Sequence, residues 1–285
     1  MMKYFHMDVF TEQAMKGNGL TVVFPESELK SETLLRIAQE FKQFETIFIY
    51  PPSEDGYFPV RIFTIQEELA FAGHPILGAG AVLHSLSNQT VSKMKLGFLL
   101  PEKRVTVQSE YMGPHYVVTM DQGVPQFIKS VPNQYYNEIA SSLNIHPTQL
   151  DDRFPIEVVS TGLPYLLVPL RQGIGEVKIK HQKFEQFLET FGAKFVYIFE
   201  TDTLECRTWD NSGVNEDVAT GSAAGPLCAY LVRNGFAEPD QVITISQGVF
   251  LKRPSIIKGW VDRETGHVLI QGSVAFFGKG EIISG

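Results

Sequence analysis

Two glycines, Gly73 and Gly221, each open a run of small and apolar residues, and each is followed by a side chain that can hydrogen-bond a ligand, His74 in one case and Ser222 in the other. Around them the chain repeats itself. The first copy runs Arg61-Ile62-Phe63-Thr64, then Leu69 to His74, then Pro75 to Leu83. The second runs Arg207-Thr208-Trp209-Asp210, then Glu216 to Ser222, then Ala223 to Leu231. Twelve positions separate arginine from glycine in the first copy and 14 in the second, while ten separate glycine from the closing leucine in both. The block is an internal pseudo-repeat with a two-residue insertion. Each copy reads strand, acidic loop, glycine, polar residue, helix, so His74 and Ser222 fall where the first free N–H groups of a helix emerge. Those groups and the positive end of the helix dipole suit a carboxylate or phosphate, and glycine lets a ligand approach the backbone. If the two halves face each other, both helix starts serve one cleft.

Three further side chains could carry acid/base or binding chemistry. Glu45 sits in Phe44-Glu45-Thr46-Ile47-Phe48-Ile49, ahead of a mostly apolar strand. A carboxyl desolvated there titrates higher, as a proton shuttle near neutral pH requires, whereas at a solvent-facing strand edge it has no such role. His74, at a helix start, feels a dipole that opposes its protonated form and keeps the imidazole available as donor and acceptor. Asp217 precedes Gly221 by four residues; with Glu216 it reads either as a functional acid or as an acidic pair favouring a helix N-terminus. Asn18, in Lys16-Gly17-Asn18-Gly19, reads as a turn.

Known motifs are excluded around both glycines. Gly73 and Gly78 have phosphate-loop spacing, but Ala79-Gly80 stands where Lys-Ser/Thr is required. Ser222 directly follows Gly221, so no Gly-x-Ser-x-Gly elbow exists. Cys206 and Cys228 show no metal-ligand or redox spacing and read as buried small hydrophobes.

The elements that must position these residues follow from periodicity. Strand patterns occur at 3–10, 19–24, 46–51, 58–64, 94–100, 104–110 and 115–121, with a helical pattern at 31–42. After Gly123 and Pro125 the pattern restarts: a helix near 133–143, strands near 156–160, 164–169, 195–200 and 203–209, a helix near 182–191, a helix at 220–233, then strands near 242–247, 256–262, 267–271 and 274–282. Residues 74–83 and 222–232 carry almost no charge and are apolar on every face, the mark of a buried helix too short to span a bilayer. Few strand pairs have helical crossovers, so the pattern predicts an α+β fold of two pseudo-equivalent lobes, each a curved, mostly antiparallel sheet wrapped around a central helix. The N-terminal lobe is expected over 1–124 and the C-terminal lobe over 125–285, with the last strand free to return to the first lobe.

Composition bounds the partners. The 285 residues are 44% hydrophobic and 20% charged, with net charge −8, the balance of a globular protein whose acidity argues against a nucleic-acid surface. Lys178, Lys180 and Lys183 read as a solvated face. No basic amphipathic stretch suggests a membrane partner, and without an apolar leader pattern a cytoplasmic location is expected.

The strings Met7-Asp8-Val9-Phe10-Thr11, Gly17-Asn18, Phe44-Glu45-Thr46, Phe71-Ala72-Gly73-His74-Pro75, Gly213 to Ala223, Gln247-Gly248 and Arg253-Pro254-Ser255 occur in an order and spacing that resemble the PhzF-like isomerases of phenazine biosynthesis. The resemblance spans residues 7–255. It implies a diaminopimelate epimerase-like fold with the active site between two lobes, no cofactor, a small carboxylate substrate and a homodimer. It also implies that Glu45 moves a proton between carbons, that His74, Asp217 and Ser222 bind and polarise the substrate, and that the backbone at Gly73, Thr220 and Gly221 holds its carboxylate. Asn18 falls in the matched Gly-Asn string. The related racemases carry a cysteine just before each helix glycine; here those positions are Ala72 and Thr220, which leaves a one-carboxylate shuttle. The chain departs from the family pattern at Phe44 (commonly Ser), Gly19 and Val218 (commonly Pro) and Lys252 (commonly Gly). The competing expectation is a non-catalytic carboxylate-binding or regulatory protein on the same fold.

Overall fold

The computed structural model describes residues 1–87, 91–101 and 103–283; the last two positions of the lobe expected over 125–285 lie outside the described residues. The chain forms two compact units, one of residues 1–121 with 271–285 and one of residues 122–270. Helices and strands are mixed in both.

In the first unit, β1 (Met2–Val9) pairs antiparallel with β2 (Asn18–Phe24). Helix α1 (Ser31–Phe41) buries Leu34 and Ala38 and stops where Lys42 turns left-handed at φ 54°. Strand β3 (Glu45–Ile49) then runs parallel to β2, and β4 (Phe58–Phe63) antiparallel to β3. The two-residue β5 (Glu68–Leu69) bonds to β4 just before helix α2 (Gly73–Leu86). After it, β6 (Lys93–Leu99) lies parallel to β4 and begins the antiparallel run through β7 (Arg104–Tyr111) and β8 (Tyr116–Asp121).

The second unit opens with β9 (Gln126–Ser130) and α3 (Tyr136–Ser142), followed by β10 (Glu157–Ser160), β11 (Pro164–Leu170), α4 (Phe184–Glu189), β12 (Phe195–Glu200), β13 (Glu205–Arg207), α5 (Gly221–Arg233), β14 (Ile243–Gln247) and β15 (Ser255–Val261). The last strand, β16 (Val268–Ile282), starts in this unit and continues in the first from Gln271. There it borders β8 and pairs antiparallel with β1, closing a ring of eight strands.

Strand pairing follows the same succession in both units. It is antiparallel, parallel, antiparallel, parallel, antiparallel through β1-β2-β3-β4-β6-β7 and again through β10-β11-β12-β13-β14-β15. Helix α2 is buried from Gly73 through Val82 and packs against β1, β2, β3, β6, β7 and β8. Its Gly78 has a packing role, because a Cβ there would lie 2.2 Å from Leu20 Cδ2 and 3.1 Å from Met7 Sδ. Helix α5 is buried from Gly221 through Leu231 and packs on β10, β11 and β15. The outer core of the second unit joins α3 and α4 to the sheet through Ile139, Leu143, Phe184, Leu188, Val168 and Ile198.

Three sequence expectations need correction. The strands expected at 267–271 and 274–282 are one strand: Gly272 breaks the hydrophobic pattern because the Phe10 ring occupies the place of its side chain, 2.5 Å from an added Cβ. The strand expected at 203–209 shortens to Glu205–Arg207, since Trp209 bridges to Glu216 instead. The pattern that restarts after Gly123 and Pro125 opens with a strand, β9, ahead of the helix expected near 133–143; its exposed residues hide its pairing with β10. Among the described residues no helix is long and apolar enough to cross a membrane.

Candidate active site

Glu45 is the first residue of β3, a strand buried at every position, and its backbone is in register with Leu20 of β2. Only 6% of its surface is exposed, which decides between the two sequence readings in favour of a desolvated carboxylate. His74, the second residue of α2, brings Nε2 to 3.3 Å from Glu45 Oε2. Burial pushes the His74 imidazole down to about 3, so the ring is neutral near pH 7 despite its acidic neighbour. A carboxylate can accept a proton and a neutral imidazole can donate a hydrogen bond.

Asn18 departs from the turn expectation. The turn ends at Gly17, whose φ is 66°, and Asn18 begins β2 opposite Val9, with 1% of its surface exposed. Strand pairing carries it inward. Asp8 faces the same hairpin and accepts the Met15 amide at 2.6 Å. The glycine at position 19, where the family pattern commonly has proline, has a local cause: a Cβ would fall 2.1 Å from Gln43 Oε1.

In the second unit the side chains before α5 form one buried network. Thr220, at the helix N-cap, donates its hydroxyl to Asp217 Oδ2 at 2.5 Å, and the Ala219 amide reaches Oδ1 at 3.4 Å. Gln247, at the end of β14 and fully buried, ties this loop down. Its Oε1 accepts from the Thr220 amide at 3.1 Å and the Tyr197 hydroxyl at 3.0 Å. Its Nε2 donates to the Asp217 carbonyl at 2.9 Å and to Thr220 Oγ1 at 3.0 Å. Burial raises the Tyr197 hydroxyl well above its ordinary range, which keeps it a donor. Ser222 Oγ lies 2.8 Å from the Tyr165 hydroxyl, and the Gly221 carbonyl accepts from Gln122 Nε2 at 2.9 Å. Neither helix start is capped by its own N-cap side chain, Ala72 or Thr220.

Each sequence-singled residue thus falls in one of two sets. Asn18, Glu45, Gly73 and His74 belong to the first unit, and Asp217, Thr220, Gly221 and Ser222 to the second. Both cysteines are buried, with thiols raised by burial, Cys228 to about 12. Among the described residues no cluster of three or more His, Cys, Asp or Glu is suited to a metal ion.

Sequence reasoning missed the residues that hold these sets in place. Tyr165 and Tyr197 carry no local signal, because the partners they bind are distant in the chain, and Gln247 was visible only in the Gln247-Gly248 string, which does not show what it holds. The arginines of the repeat were visible, yet not their partners. Arg61 grips Glu68 through Nε at 2.7 Å and Nη2 at 2.5 Å, and Arg207 grips Glu216 through the same two nitrogens, both at 2.7 Å. Each glutamate stands five residues before its helix glycine, so the two-residue insertion lies inside the arginine–glutamate span. Spacing counted from the glycine back to an acid would have found both.

The fold is one seen in PhzF-type proteins. It matches a phenazine biosynthesis protein of the PhzF family from Bacillus anthracis with TM-score 0.79 and 22% identity, over the full length of both chains. At higher similarity stands the solved structure of a predicted epimerase from Pseudomonas aeruginosa, with TM-score 0.95, 38% identity and full coverage of both chains. Residues 7–280 match the family described as phenazine biosynthesis-like protein. A curated relative from Pseudomonas chlororaphis, trans-2,3-dihydro-3-hydroxyanthranilate isomerase, is 32% identical across 99% of this chain and 100% of its own. The chain belongs to this PhzF-type isomerase family.

Proposed function

We propose that this isomerase moves a proton between two carbons of a small carboxylate substrate, with Glu45 as the acid/base. The observation that carries the reading is the buried Glu45 carboxylate 3.3 Å from the neutral His74 imidazole. Glu45 takes a proton from an activated carbon, the C–H electron pair moves through the adjacent π system, and the same carboxyl returns the proton to a second carbon. Protons and electrons balance within the substrate, so the step requires no cofactor. His74 hydrogen-bonds the group on which negative charge develops, and Asp217, ordered by Thr220 and Gln247, polarises the substrate from the second residue set. Ser222 and the backbone of Gly73, Thr220 and Gly221 bind the carboxylate through the helix starts, and Asn18 contributes a further polar contact.

The compound acted on by the Pseudomonas chlororaphis relative, a cyclic amino-hydroxy carboxylate, is the first substrate to test. Wild type is expected to turn it over. Glu45→Gln keeps the shape and removes the proton carrier, so turnover falls roughly 100- to 10,000-fold. Unchanged turnover in the variant contradicts the mechanism.

A further inference from the structure

The arginine–glutamate pairs recur with their surroundings. Arg61 stacks over Phe63 at 5.2 Å, and Phe63 is paired in register with Glu68. Arg207 stacks over Trp209 at 4.5 Å, and Trp209 is bridged to Glu216. Arginine, the aromatic two residues on, and the glutamate opposite that aromatic form one unit that occurs twice. The second is the more deeply set: both side chains are 9% exposed, against 23% and 31% in the first.

Arg207 is held from every side. Its Nη1 donates to the carbonyls of Ile174 at 2.9 Å and of Gly175 and Val177 at 3.3 Å, and Phe250 covers the guanidinium at 4.5 Å, the same distance as Trp209. A planar guanidinium fixed in this way presents two parallel N–H bonds to one carboxylate, a geometry lysine cannot reproduce. The carboxylate it takes is Glu216, the immediate neighbour of Asp217. The Asp217 amide bonds to the Thr208 carbonyl at 3.0 Å, next in the chain to Arg207.

We infer that Arg207 is a positioning residue: by clamping Glu216 it fixes the loop that aims Asp217 and Thr220 and occupies one member of the Glu216-Asp217 acidic pair, leaving the other for the substrate. The inference rests on the proposed role of Asp217. Arg207 touches no reacting atom in this scheme and acts through the loop alone.

The test compares Arg207→Lys, Asp217→Asn and the double variant by turnover of trans-2,3-dihydro-3-hydroxyanthranilate and by amide hydrogen exchange. Arg207→Lys keeps the charge and loses the paired bonds. Its kcat is expected to fall about 10- to 100-fold, as for a small misplacement of a reacting group, with KM within about threefold. The double variant is expected to be no slower than Asp217→Asn, because both changes act through the same carboxylate. Exchange should quicken at residues 216–222 and stay at wild-type rates in β10 to β12. Wild-type kcat in Arg207→Lys, a loss that multiplies with that of Asp217→Asn, or faster exchange throughout the second unit overturns the inference. If wild type is inactive on this compound, or Asp217→Asn retains full turnover, the proposed reaction fails instead. Exchange then decides the clamp alone: quickening confined to 216–222 supports it, and unchanged exchange overturns it.

Discussion

The two units share a strand succession, a buried helix begun by glycine, and an arginine–glutamate clamp before that glycine, yet their chemistry differs at three matched positions. Strand register matches Glu45, opposite Leu20, with Phe195, opposite Tyr165. The carboxylate at the start of β3 thus has an aromatic counterpart at the start of β12. The residue after the clamp glutamate is Leu69 in the first unit and Asp217 in the second, and the polar residue after the glycine is His74 in one and Ser222 in the other. What the halves hold in common positions the helix starts. Where they differ, Glu45 stands in the first unit and Asp217 in the second, the asymmetry from which the one-carboxylate shuttle is proposed.

Variants that exploit this asymmetry sharpen or break the comparison. The largest effect is expected at Glu45, where Glu45→Gln lowers turnover roughly 100- to 10,000-fold. Comparable activity in wild type and variant would leave the halves functionally undistinguished.

Next come the helix glycines. Gly78→Ala drives a methyl into Leu20 and Met7, and Gly225→Ala places one 1.9 Å from Gln122 Oε1, a group that also accepts the Thr161 hydroxyl. Each is expected to destabilise by about 1–3 kcal/mol in chemical denaturation. An unshifted midpoint would show that the helix can move off its strands.

The two helix starts should also separate by pH. The folded state holds His74 near 3 against an ordinary 6.5, so between those values the unfolded chain binds a proton that the folded chain refuses. This contribution to stability is complete above about pH 6.5 and is lost on acidification, with a slope approaching about 1.4 kcal/mol per pH unit. His74→Asn should remove that part of the slope and Ser222→Ala should retain it, as measured by denaturation midpoints across the range.

The smallest effect concerns Lys252, which sits at φ 58° after Val249–Leu251 where the family pattern commonly has glycine. Left-handed backbone is costly for a side chain, so Lys252→Gly should stabilise by about 1 kcal/mol or less. A lower melting temperature would mean that the lysine side chain offsets its backbone strain.

Much of this arrangement was legible in the sequence, because periodicity and glycine placement are local. Apart from the two-residue β5, the strands through residue 121, together with α1, α2 and α5, follow from alternation, helical spacing and uncharged small-residue runs. The candidate site residues were legible through motif strings, although burial of Glu45 was not: one carboxylate before an apolar strand also reads as a solvent-facing edge, and only the neighbouring strands decide it. Asn18 was misread because Gly-Asn-Gly has turn chemistry, while the pairing with Val9 that draws it into β2 is a tertiary fact. The supports were hidden for the same reason. Gln247 lies 27 residues from Thr220 and Tyr165 lies 57 from Ser222, separations at which a single sequence gives no pattern. The clamps were half-visible, since their spacing to the helix glycines is fixed while the arginine end shifts by two.

The most direct test of a one-carboxylate shuttle is deuterium wash-in. Wild type and Glu45→Gln are incubated in D₂O with trans-2,3-dihydro-3-hydroxyanthranilate and a panel of small cyclic and amino-acid carboxylates, and label is located by mass spectrometry and NMR. The mechanism predicts isomerised product with wild type only, carrying solvent deuterium at the receiving carbon in those turnovers in which the Glu45 carboxyl exchanges its proton before returning it. Product or label of equal extent in the Glu45→Gln variant, or binding with neither product nor exchange across the whole panel, would contradict it.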